Sequence, residues 1–310
     1  MAQGGDVRLN LSAGLLSSMV ALTLVVAKLW ALGQTGSLAV AATLADSAMD
    51  LMMSLGALAA IAYAAKPADD DHNFGHSSAE DLAALAQSVI ILISAGVIAA
   101  AAILRLVRGE ARLPENEVQG MAVIVLSIAL TLGLVLWQRR VAARTGNTVV
   151  RADSLHYLGD LIPNVGTLLA LWASKALGLA QVDSVVALGA AVILAVGAVR
   201  IGKGALDALM DRQADPEMIA GIARIADGFP GVMGHHDLKT RRAGSTVFVN
   251  LHIELDGDQS LHEAHAIGAA LRRAILHAYP RTDVLIHKDP AGVVPHPDDP
   301  TVERGPTAAR

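Results

Sequence analysis

Residues 37–65 read SLAVAATLADSAMDLMMSLGALAAIAYAA, an apolar run that carries two aspartates, Asp46 and Asp50. Such a run is long enough to cross a bilayer, which takes about 20 residues. An ionisable group at that depth is costly and is retained for a function. The two aspartates are four residues apart, about one helical turn, so they share a helix face. A second run contains SLHYLGD at 154–160 and sets His156 and Asp160 at the same spacing. Two such faces, opposed, present three carboxylates and one imidazole to one point. Asp46 lies about eight residues into its run and Asp160 about twelve into its own, hence roughly 12–18 Å deep at about 1.5 Å per residue. The two runs cross in opposite directions, so both depths fall near the middle of the membrane. Neither run holds a basic residue at matching depth to neutralise these acids. The donor set suits tetrahedral zinc, or a somewhat harder ion such as ferrous iron.

Working outward, further apolar runs of spanning length lie at about 11–33, 82–107, 117–138 and 180–204, beside the two at about 38–65 and 148–174. The expectation is an α-helical membrane protein with six transmembrane helices over residues 1–210. The fifth run is the least continuous, broken by Arg151, Asp153, His156, Asp160 and Pro163. The first is too long for a signal-peptide core and has no basic cluster before it, so it is expected to be a retained span. Arg8, Lys66, Arg139, Arg140, Arg144, Arg151, Arg200 and Lys203 fall on one side of this layout, and Arg105, Arg108, Arg112 and Lys175 on the other. The positive-inside rule therefore puts both termini in the cytoplasm.

Composition narrows the function further. The 310 residues are 53% hydrophobic and only 17% charged, with net charge −5, so no basic excess is present to neutralise nucleic-acid phosphates. Cysteine is absent, which excludes disulfides, iron–sulfur ligation and thiolate metal sites. Any metal must be held by His, Asp, Glu or backbone oxygen. Neither GxxxxGK[ST] nor HExxH occurs, and no GxGxxG follows a strand. An ATP-driven pump, a zinc protease and an enzyme in general are therefore unsupported, and no prosthetic group is expected.

From residue 211 the charge rises, and eight of the eleven histidines lie beyond it. The pattern predicts a helix at 215–228, two strands in DLKTRRAG and STVFVNLHIEL joined at Ala243 and Gly244, a helix in HEAHAIGAALRRAILHAY and a strand in DVLIHKD. The order αββαβ describes a small α+β domain over 211–290. The Pro-rich residues 291–310 are expected to form a disordered tail. Two further groups have metal-ligand character. The loop KPADDDHNFGHSSAED carries Asp69, His72 and His76, with Gly75 permitting a tight turn. The α+β domain offers His235, His236, His252, His262, His265, His287 and Asp289 from three elements, His262 and His277 reading as surface residues along with His296 of the tail.

Taken together, ADSAMD, SLHYLGD, PADDDHNFGH and the series HDL, LHIEL, AH and IHKDP resemble the cation diffusion facilitators, in particular the bacterial ferrous-iron and zinc efflux proteins. The resemblance runs to about residue 290. It implies a transport site of Asp46, Asp50, His156 and Asp160, and a loop site of Asp69, His72 and His76. It also implies a cytoplasmic two-metal site of His236, His252, His265, His287 and Asp289 that bridges a homodimer, within a ferredoxin-like, metallochaperone-like domain. One departure stands out. The family's lysine two residues after the loop's GH is Ser78 here, so its charge interlock with Asp211 cannot form as such.

The expected activity is export of Zn²⁺, or of Fe²⁺, Cd²⁺ or Co²⁺, in exchange for protons, by a homodimer in the cell inner membrane. Metal and protons compete for the same deprotonated ligands. His156 is the expected proton carrier, since an ordinary imidazole titrates near about 6.5. A non-transporting metal receptor and a divalent-cation channel are the alternatives. The first needs no ionisable quartet in mid-membrane, and the second would ignore a pH gradient.

Overall fold

The computed structural model describes residues 2–35, 38–108, 118–177 and 182–292. They form two units, one spanning Gln3–Asp207 and the other beginning at Ala208. The expected disorder of the tail falls, from residue 293 on, outside the described residues.

The first unit holds six long helices: α1 (Ala2–Thr35), α2 (Leu38–Ala64), α3 (Ser78–Arg108), α4 (Val118–Thr145), α5 (Thr148–Leu177) and α6 (Val182–Leu209). Most extend past the apolar runs, because a helix continues into polar residues once its hydrogen-bond ladder is established. Among the described residues, α1, α2, α3 and α6 contain segments long and apolar enough to cross a membrane. The described parts of α4 and α5 do not. Arg139, Arg140 and Arg144 crowd the end of α4, and Arg151, Asp153 and Asp160 interrupt α5. Large apolar side chains such as Met19, Leu22 and Val26 on α1, and Val89, Ile93 and Val97 on α3, lie exposed in bands that suit lipid rather than water.

The depth of α5, which carries SLHYLGD, is set by a two-residue turn. Gly146 ends α4 with φ 71° and its N–H bonded to the Ala142 carbonyl. Asn147 then opens α5, its side-chain oxygen accepting from the Val150 N–H at 2.9 Å. Only glycine adopts the left-handed conformation without strain, and an Asn cap satisfies an otherwise orphaned donor. The connection is so short that α4 and α5 run antiparallel as neighbours. Helix α6 approaches through glycines. A Cβ on Gly197 would lie 2.8 Å from Leu155, and one on Gly202 would lie 2.6 Å from Ser88. Small residues of this kind let helix backbones come close where no hydrophobic force drives association.

The second unit has the element order α7 (Pro216–Asp227), β1 (Gly234–Ala243), β2 (Thr246–Leu255), α8 (Leu261–Ala278) and β3 (Thr282–Pro290). This is the expected αββαβ order. Strand β1 starts three residues earlier than the pattern suggests, and takes His235 and His236 into the sheet. A bulge between His236 and Lys239, with Asp237 at φ 49°, lets the strand absorb an extra residue. The sheet order is β1-β2-β3, antiparallel then parallel, with α8 making the crossover. Val249, Leu251, Ile253, Ile222, Leu271 and Ile275 fill the core at 0–1% exposure. Alternate residues of β2 therefore face away from it, His252 among them.

Helix α8 begins with a capping box. The Ser260 hydroxyl and N–H both donate to Glu263 at 2.8 Å, and Ser260 Oγ accepts from the Glu263 N–H. These bonds hold the Glu263 carboxyl below its ordinary value near 4.5. A depressed carboxylate contributes stability above its unfolded pKa and loses it as pH falls through the folded one. Ser260→Ala is therefore expected to increase fraying of the first turn of α8 at neutral pH, with a smaller difference in strong acid. Hydrogen exchange of the α8 amides reads both outcomes.

Candidate metal centres

In the membrane unit, α2 presents Asp50 and α5 presents His156 and Asp160. One ligand atom from each lies within 4.8 Å of the others. His156 Nε2 is 3.2 Å from Asp50 Oδ1, and both side chains are largely buried, at 15% and 20% exposure. The i, i+4 spacing on α5 brings His156 and Asp160 onto one face, as the sequence predicts. The Asp46 side chain lies outside the described residues.

The second and fifth runs hold no basic residue at matching depth, but the first helix brings one to α2. Lys28 of α1 donates to Ser47 Oγ at 2.6 Å, next in the chain to Asp46. A search confined to the two acidic runs passes over it, because the lysine reaches across from another helix. Asp153, which the sequence shows only as a break in the fifth run, is 2% exposed about one turn before His156 on α5.

In the loop between α2 and α3, Asp69, His72 and His76 also bring ligand atoms within 4.8 Å. Asp69 Oδ1 accepts the His72 backbone N–H at 2.8 Å and lies 3.2 Å from His72 Nδ1, while Oδ2 lies 3.2 Å from His76 Nε2. The His72 N–H is the main reason the Asp69 carboxyl stays below the ordinary range, so it is ready to bind as an anion. Gly75, at φ 81°, turns the chain so that His76 folds back beneath His72, with ring centroids 4.5 Å apart. His76 is nearly buried and stacks edge-on against Tyr63 at 4.7 Å, whereas Asp69 and His72 remain half-exposed.

In the α+β unit the sheet register assembles the third group. His236 of β1 pairs with His252 of β2, which pairs with His287 of β3, giving a row of imidazoles across three strands. Asp289, two residues past His287, falls on the same face by the period of two. Its Oδ2 lies 3.3 Å from His236 Nε2 and 2.9 Å from His252 Nδ1, and its Oδ1 lies 3.2 Å from His287 Nε2. His236, His252 and Asp289 meet the 4.8 Å criterion for a shared ion, with His287 adjoining through the carboxylate. Two imidazoles and a carboxylate fit a borderline divalent ion such as zinc. His265, exposed on α8, is not in this group. His235 turns away and pairs with Asp227 instead. Asp237, almost buried behind the row, lies 3.9 Å from His252 Nε2 and 2.8 Å from Lys239 Nζ. The unusual backbone that brings it there has no sequence signature. Asp211, whose expected lysine partner is Ser78 here, accepts from Arg241 at 3.3 Å within its own unit, and Arg241 lies 4.3 Å over the Phe248 ring.

Residues 14–210 match the cation efflux transmembrane domain, and residues 214–291 match the cytoplasmic domain of cation efflux proteins. The chain belongs to the cation efflux, or cation diffusion facilitator, family. It is 40% identical over 288 residues to the cation-efflux pump FieF of Cronobacter sakazakii, covering 93% of this chain and 95% of that one. Against FieF of Shewanella oneidensis the identity is 43% over 284 residues, covering 90% and 93%. Among solved structures, the metal-bound C-terminal domain of the CzcD transporter from Thermotoga maritima is 32% identical, covering 26% of this chain and 93% of that one, with a TM-score of 0.25. As a cation efflux family member the protein is a multi-pass membrane transporter and not an enzyme, and the transmembrane match takes in all six helices.

Removing the carboxylate that three histidines share should disable the sheet group more than loss of an outer partner would. In zinc calorimetry, Asp289→Ala is therefore expected to weaken that site by more than the about 10- to 100-fold typical of outer-shell losses. The membrane group is expected to keep its affinity.

Proposed function

We propose that the protein is a homodimeric divalent-cation/proton antiporter that exports Zn²⁺, or Fe²⁺, Cd²⁺ or Co²⁺, from the cytoplasm. The observation that carries this reading is the convergence of Asp50, His156 and Asp160 from two membrane helices. Asp46, four residues before Asp50, is proposed as the fourth ligand. Each ligand binds a metal ion only when deprotonated, so cargo and protons exclude one another from the site. Facing a near-neutral cytoplasm, the ligands are free to take metal. Facing a more acidic exterior, they take protons and release it. Rocking of the helices about a fixed mid-membrane site supplies alternating access, as in other secondary transporters. Lys28 of α1, bonded to Ser47 beside Asp46 in the chain, brings a basic side chain to this part of α2.

The cation-efflux names of the relatives support metal export, and the carboxylate-rich ligand set supports a site that is not exclusive to zinc. His236, His252, His287 and Asp289 would hold regulatory metal in the cytoplasmic domain and stabilise the dimer. Asp69, His72 and His76 would hold a further ion at the membrane surface. The excess of arginine and lysine on one side of the six helices supports cytoplasmic termini in an inner membrane.

Proteoliposomes loaded with a pH-sensitive dye test the reading. Zinc added outside is expected to drive proton movement that Asp50→Ala and Asp160→Ala abolish. Wild-type proton flux in either variant, or metal flux indifferent to an imposed pH gradient, would end the assignment.

A further inference from the structure

Asp153 takes no part in the metal groups, yet four helices converge on it. It is 2% exposed, deep in the first unit. Its Oδ2 accepts from Ser17 of α1 at 2.7 Å and from Gln138 of α4 at 2.6 Å. Ser17 Oγ lies 2.8 Å from Ser54 Oγ of α2, and Ser54 Oγ lies 2.7 Å from the Tyr157 hydroxyl of α5. A hydroxyl has one hydrogen but also accepts, so each of these groups is linked to the next. Ser17 donates to Asp153, Ser54 joins Ser17 to Tyr157, and the Tyr157 hydroxyl also lies 3.5 Å from the Ser17 carbonyl. The chain of hydroxyls ends on one carboxyl group.

This polar layer sits between two apolar ones built from the same bundle. On one side, about one turn away along each helix, Ala13, Ala57, Ile61, Val141, Val149 and Val150 pack together. On the other, Val20, Leu24, Leu134 and Val135 pack with Tyr157. The metal group occupies the second side. Ser54 is one turn from the ligand Asp50, and Tyr157 follows the ligand His156. A movement of either ligand-bearing helix therefore reaches the polar layer directly.

We infer that Asp153 is a positioning residue of the transport cycle, clasping α1, α2, α4 and α5 so that the metal site is closed toward the N-terminus of α5. The inference rests on the metal group named above as the cargo site, and in the proposed orientation the closed side is the cytoplasmic one. Apolar contact alone holds helices weakly in lipid, where no hydrophobic force favours association. A carboxylate with convergent donors binds them firmly when dry. Water satisfies the same groups when the layer parts, so closed and hydrated arrangements are both accommodated and half-open ones are not. Asp153 Oδ1 and Gln138 Oε1 have no hydrogen-bond partner among the described residues, which leaves acceptors ready for that water.

The chain has no cysteine, so an introduced thiol reports cleanly. Val150→Cys, at a position 2% exposed in the apolar layer beneath the clasp, is reacted with a membrane-impermeant maleimide in lipid nanodiscs. Ile91→Cys, 1% exposed between α3 and α6, is the control. Asp153→Leu is expected to speed labelling at Val150→Cys by about tenfold or more, the scale set by leaving two buried donors without an acceptor. It should leave the control protected and zinc affinity at the membrane group within about threefold, less than loss of an outer-shell partner costs. Asp153→Asn retains an oxygen that accepts both bonds and is expected to keep the slow rate. If Asp153→Leu fails to fold, the double variant Ser17→Ala with Gln138→Leu removes the donors instead and should give the same acceleration. Unchanged labelling, equal exposure of the control, or an Asp153→Asn rate matching Asp153→Leu would each overturn the clasp. Labelling requires no transport, so loss of proton exchange in the liposome assay would leave this result standing.

Discussion

The membrane unit is governed by the cost of a carboxylate in a medium that solvates it poorly. Asp50, His156, Asp160 and Asp153 are all drawn inward, since each must find donors, counter-charge or cargo. Two different solutions appear along the same helix. Asp160 joins Asp50 and His156 in a group with room to share an ion. Asp153, seven residues earlier, is surrounded by hydroxyl and amide donors. About two turns of α5 separate Asp160, in the group proposed to carry cargo, from Asp153, which ties helices together.

The cytoplasmic domain solves a different problem with the same residue types. Here the sheet register does the work: paired positions on three strands align His236, His252 and His287, and the period of two adds Asp289 to their face. The opposite face buries Val249, Leu251 and Ile253, so domain stability and ligand presentation are divided between the two sides of one sheet. The substitution of Ser78 for the family lysine leaves Asp211 to pair with Arg241 inside this domain.

Much of this was legible in the residues. Six helices, the αββαβ order and the i, i+4 pairs follow from hydrophobic period and spacing, because those patterns are local along the chain. The loop group was legible too, since Asp69, His72 and His76 lie within eight residues and Gly75 makes the turn. The start of β1 was missed because its first residues are polar histidines that show no alternation, and it is pairing with β2 that makes them a strand. Asp237 was passed over for a related reason, as its left-handed backbone belongs to a bulge that only pairing with β2 defines.

What the sequence alone determined was which residues could not tolerate lipid or water without a purpose, because burial cost and helical period are properties of short segments. Only the tertiary structure decided which of them share a partner. Lys28 beside Ser47, and Ser17 and Gln138 on Asp153, are meetings between helices distant in the chain. His265, by contrast, carries the right chemistry and lies on the right domain, yet stays outside the group. The physical reason is that metal ligation and hydrogen bonding are short-ranged and directional. Whether two suitable side chains meet depends on helix crossings and strand register, which no local pattern encodes.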